Sequence, residues 1–211
     1  MHRSGLLCSG DIRNDAKSTK VILIVGKSAN STSFVFAPFF EKGMGTRGLY
    51  GFYYKGRYYL MYNHWDSYPR GLGMKVVCEI ADWFKVNGVD LMKIAFENVI
   101  QVTIEGEREP TDEEIEKLKP WTDLSVATGY VHDWYCLLRK TQGSFKSCFD
   151  CGFMLVTEEE YKSPSDWGGN LFIEWVYVID LDNEEFRGYE GGKEFYKSPI
   201  NKINISTFLS S

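Results

Sequence analysis

Residues 171–181 read Leu-Phe-Ile-Glu-Trp-Val-Tyr-Val-Ile-Asp-Leu. In an extended chain, Ile173, Trp175, Tyr177, Ile179 and Leu181 fall on one side, and Phe172, Val176 and Val178 on the other. A strand that is apolar on both faces must be covered on both, so it belongs at the centre of a layered fold. Asp182-Asn183 supplies a turn, and Phe186 to Tyr189 starts the returning strand. A second hairpin lies upstream. Leu49 to Tyr54, Lys55-Gly56 and Arg57 to Tyr62 read as strand, tight turn and strand. Both arms are rich in tyrosine, which suits cross-strand aromatic pairs.

Helical spacing separates the two hairpins. Met74, Val77, Cys78, Ala81 and Phe84 share one helical face, and Asn87-Gly88 ends that helix. Leu91, Ala95 and Val99 indicate a second helix. Thr111-Asp-Glu-Glu114 forms a capping box, and Pro120 closes the helix that follows. The polar stretch 157–169 reads as a surface loop. The sum is an α+β fold: antiparallel sheets built from two aromatic-rich hairpins, with helices packed on them. The 16% aromatic content fits this strand-rich reading.

Residues 1–43 break the pattern. They hold a polar opening and two apolar runs, 21–25 and 34–40, and read as a partly disordered extension ahead of a single α+β domain over 44–211. Gly26-Lys27-Ser28 is like the end of a phosphate loop, but the glycine that opens that motif is missing. The run Val21–Val25 is far too short for a membrane span. A net charge of −5 argues against nucleic acid or an anionic membrane as partner. Five cysteines at irregular spacing do not form a disulfide framework, so a reducing, cytoplasmic compartment is expected. Cys148-Phe-Asp-Cys151 is a lone C-x-x-C with no second pair. No metal or cofactor is expected.

The densest polar cluster is Tyr62 to Gly73, between a strand end and a helix start. Asn63, His64, Asp66 and Ser67 gather donors, acceptors, an imidazole and a carboxylate within five residues. The glycine-bearing turn could also offer amides to an anion at the helix N-terminus. The plainer alternative is a connection whose polar side chains bond their own turn. Thr46 is a candidate nucleophile and Arg47 a candidate carboxylate clamp. With the first hairpin turning at Lys55-Gly56, partners sum to 111, which puts Arg47 opposite His64. The block Asp133-Trp-Tyr-Cys136 with Arg139 and Thr141-Gln-Gly143 is a third candidate, read as core because Cys136 lies in an apolar run.

These blocks resemble an uncharacterised group of proteins from fungi, bacteriophages, bacteria and large DNA viruses. The likeness rests on Met44-Gly-Thr-Arg-Gly48, Tyr62-Asn-His-Trp-Asp-Ser-Tyr-Pro-Arg-Gly-Leu-Gly73, Asp133 to Gly143, and Glu174 to Asp182. Members that carry Cys after the first Met are similar at their start to N-terminal-nucleophile hydrolases, which implies an αββα sandwich. Here position 45 is Gly, which has no nucleophile. The resulting expectation is a small-molecule site at residues 62–73. As an enzyme it would use His64 as acid/base, Asp66 to orient it, Thr46 as nucleophile, and Arg47, Asn63 and Ser67 to bind substrate. The alternatives are a non-catalytic binding module and a protein-interaction module.

Overall fold

The computed structural model describes residues 46–103, 108–157, 163–167 and 173–211. The 1–43 extension, Met44 and Gly45, Leu171 and Phe172, and part of the 157–169 stretch lie outside the described residues. The first hairpin is β1 (Gly48–Tyr54) and β2 (Arg57–Asn63). Its turn has φ of 51° at Lys55 and 75° at Gly56, the paired positive values that match strand twist in a two-residue loop. The register sums to 111 throughout, from Tyr54↔Arg57 to Gly48↔Asn63.

A short helical turn, Pro69–Gly73, leads into α1 (Met74–Val86), and α2 (Val89–Glu97) follows. The strand β3 (Ile100–Val102) comes next, then α3 (Asp112–Leu118) behind its capping box. In that box Glu114 N donates to Thr111 Oγ1, and Thr111 N donates to the Glu114 carboxylate. Then come α4 (Trp134–Leu137), α5 (Phe145–Cys151), β4 (Phe153–Leu155) and α6 (Pro164–Trp167). The chain ends with β5 (Trp175–Asp180), β6 (Glu185–Glu190), β7 (Lys193–Pro199) and α7 (Ile205–Phe208).

Five strands form one sheet in the order β2-β1-β5-β6-β7. Pairing is antiparallel within each hairpin and between β6 and β7. The seam between the hairpins, β1 against β5, is parallel, so the sheet is mixed rather than purely antiparallel. A parallel pair needs a long crossover, and everything from α1 to α6 supplies it. Besides this sheet, the described residues form a parallel β3–β4 pair. The αββα sandwich implied by the resemblance needs a second broad sheet; β3 and β4 are the only further strands among the described residues.

The strand β5 is central, with cover on both faces. Tyr177 and Ile179 pack with Tyr50, Phe52, Val77, Ile80, Phe96 and Phe145 in the main core. Val176 and Val178 pack on the other face with Leu49, Leu60, Trp167 and Tyr189. Trp175, at the strand's start, is only partly buried and meets Phe195 edge-on. In α2 the buried stripe is Met92 and Phe96, one residue on from the expected Leu91 and Ala95, and Leu91 is exposed. A third cluster of Leu118, Trp134, Leu137, Leu138 and Phe153 ties α3, α4 and β4 together.

Candidate functional site

Two buried tyrosines on the helix-covered face of the sheet set the site. Tyr177, on β5, donates its hydroxyl to the Ser67 carbonyl at 2.9 Å. Tyr50, on β1, accepts the Gly143 amide at 2.7 Å. One holds the turn after β2, and the other holds the loop between α4 and α5. Burial pushes both phenol pKa values upward, so both stay protonated and able to bond. The two turns therefore meet above the end of the first hairpin.

The 63–72 turn is held from within. Asn63 Nδ2 donates to the Trp65 carbonyl and to Ser67 Oγ. Ser67 N donates to the Thr46 carbonyl at 3.1 Å, and Leu72 N donates to the Asp66 carbonyl at 2.8 Å. Asp66 sits at φ 54°. A Cβ at Gly71 would lie 2.1 Å from the Asp66 carbonyl oxygen, so this turn closes only around glycine. The amides of Gly71, Leu72 and Gly73 all bond back to Tyr68 or Asp66 carbonyls. They are spent inside the turn, and the expected anion site at the N-terminus of α1 is not built.

The loop opposite is anchored by α1. Glu79 accepts from Ser144 Oγ and Phe145 N at 2.7 Å each, at the start of α5. A Cβ at Gly143 would come within 3.3 Å of Asn63 Oδ1, which shows how closely the two turns pack. Between them lies an open cleft of about 350 Å³, lined by Asn63, His64, Trp65, Asp123, Arg139, Lys140 and Gln142. Arg139 lies over the Tyr135 ring at 5.6 Å and donates to Gln142 Oε1. Asp123 is the one acid in the lining. Its carboxylate accepts from Ser125 Oγ and Ser125 N, which hold its pKa below the usual range, aided by Lys140 and Arg139.

His64 Nδ1 lies 3.1 Å from the Tyr62 hydroxyl, and the His64 ring stands edge-on to Trp65 at 4.5 Å. Its pKa falls below the usual 6.5, first because burial disfavours the cation, then because Arg47 and Arg139 repel it. The imidazole is therefore neutral at pH 7. Trp65 is 58% exposed and offers a flat apolar wall.

The structure brings together Asn63, His64 and the charge of Arg47, and it adds Arg139, Lys140 and Gln142. Arg47 lies one residue beyond the last paired position of β1, so it acts on His64 through its field. Asp66 is apart: its carboxylate is exposed, and His64 Nδ1 faces Tyr62 instead. Ser67 is fully buried with its hydroxyl bonded to Asn63, so it cannot reach a ligand in the cleft. Thr46 Oγ1 is buried without a hydrogen-bond partner among the described residues and does not line the cleft.

Cys148 and Cys151 are buried free thiols, and burial raises the pKa of each. Among the described residues no cluster of His, Cys, Asp and Glu is arranged to hold a metal ion. No described helix is long and apolar enough to cross a membrane. Compared with protein-family models, curated proteins and solved structures, the chain matches none of them.

Proposed function

We propose that this chain binds a small anion in the cleft between the 63–67 turn and the 139–142 loop, and holds it without covalent chemistry. The observation that carries this is the convergence of Arg139, Lys140 and a neutral His64 on one open cleft with a single acid, Asp123. Guanidinium and ammonium groups suit a carboxylate or phosphate, and Trp65 offers a stacking wall for a flat ligand. The lining holds no hydroxyl or thiol side chain to act as a nucleophile. Membership of the group that shares the Tyr-Asn-His box, and a cytoplasmic location, are parts of the same proposal. The four free thiols among the described cysteines fit a reducing compartment.

Titration with inorganic phosphate and with phenylphosphonate, followed by calorimetry at pH 7, tests the proposal. Binding should saturate, and Arg139→Ala should weaken it roughly ten- to a hundredfold, the loss expected for a charge-assisted hydrogen bond. An Arg139→Ala protein that folds and binds as tightly as the wild type contradicts it. A second reading, hydrolysis with His64 as acid/base, is favoured by the neutral imidazole at the cleft wall. Ester turnover that disappears in His64→Gln would move the chain to that class.

A further inference from the structure

A second, smaller space of about 20 Å³ adjoins the cleft behind Gln142, which lines both. Its walls include Met61, Leu138, Leu155, Val156 and the rings of Tyr50 and Tyr62. Three of its polar groups are already committed. The Tyr50 hydroxyl accepts from Gly143 N, Thr141 Oγ1 donates to the Leu138 carbonyl, and Thr157 N donates to the Leu60 carbonyl. What remains for a ligand is mainly apolar surface, beside the Tyr135 and Thr157 side chains, in a slot that holds one water-sized group. Tyr62 joins the two spaces: its ring lines the slot, and its hydroxyl meets His64 in the cleft. Gln142 joins them again, because its side-chain oxygen is held by Arg139.

From this we infer that the anion carries a short unbranched alkyl group of two carbons, whose terminal methyl enters the slot past Gln142 while its charge sits at Arg139. The inference rests on the anion-binding reading of the cleft. An anion that takes the Arg139 guanidinium competes with Gln142 Oε1. The headgroup thereby releases the side chain that separates cleft from slot, and the two subsites are used together. A branched chain or a ring exceeds the slot.

The test is a calorimetric series of methyl-, ethyl- and propylphosphonate on the full chain. Ethylphosphonate should bind about four times more tightly than methylphosphonate, the gain from burying one methylene, and propylphosphonate should add little. Val156→Phe should fill the slot, abolish this chain-length dependence and leave methylphosphonate affinity unchanged. Equal affinities across the wild-type series overturn the inference while leaving the anion site standing. A series that persists in Val156→Phe also overturns it. If none of the three phosphonates binds, nor inorganic phosphate, the anion site itself falls and the slot with it.

Discussion

Gly48 has no room for a side chain. A Cβ there would lie 2.5 Å from the Trp175 carbonyl and 2.7 Å from Ser67 Cβ. The residue thus allows two things to meet: the parallel seam to β5 and the turn that shapes the cleft. Gly48→Ala must push one of them away. We expect it to lower the denaturation midpoint and to weaken phosphate binding together; unchanged binding in a folded Gly48→Ala protein would show that the turn does not depend on this contact. The same scale explains what was legible in the sequence at the site. Asn63 and His64 stood out because polar side chains cluster at a strand end. The register rule placed Arg47 opposite His64, and the observed pairing runs as far as Gly48↔Asn63. Arg139 and Gln142 stood in the third candidate block, but their meeting with the box was not legible because they lie more than sixty residues beyond it, and they join it through the bond from the Gly143 amide to Tyr50. The block around Cys136 read as core because Trp134, Cys136, Leu137 and Leu138 are indeed buried. Its polar end, starting at Arg139, is what faces the cleft.

Among the elements, the two hairpins hold one another at their turns. Asp182, after β5, accepts from Lys55 N and Gly56 N at 2.9 Å each, and Leu181 N donates to the Tyr53 carbonyl. Asp180, buried next to that turn, accepts from Asp182 N and Asn183 N and pairs with Arg187 at 3.0 Å. Asp182→Ala removes an exposed pair of bonds and should cost about 1 kcal/mol. Amide exchange at Lys55 and Gly56 should quicken more than at β6, and equal protection in the variant would contradict the link. The hairpins and the capping box were legible because each is a local pattern of turn residues or reciprocal caps. The parallel seam was not, since alternation along a strand says which faces are covered and nothing of its neighbour's direction. Nor was the phase of α2, where Met92 and Phe96 fill the space over Phe52 and the apolar Leu91 is left outside.

For the whole molecule, the sheet serves as a platform whose helix-covered face sends out two tyrosine hydroxyls, at Tyr50 and Tyr177, to fix two distant turns. The cleft is thus a product of the core, and its charge pattern sets its pH response. In the free protein the histidine pKa lies below 6.5, so a proton on His64 opposes folding. The stability it contributes is present above pH 6.5 and is lost as pH falls through the lowered value. A bound anion adds negative charge beside the imidazole and raises that pKa, so binding takes up a proton. Affinity should therefore rise as pH falls from the raised value to the lowered one. The most direct measurement is an NMR titration of the histidine ring protons with and without inorganic phosphate, His64 being assigned by His64→Gln. The account predicts a His64 pKa below 6.5 in the free protein and a clear rise with phosphate. A His64 pKa that phosphate does not move would contradict the anion site.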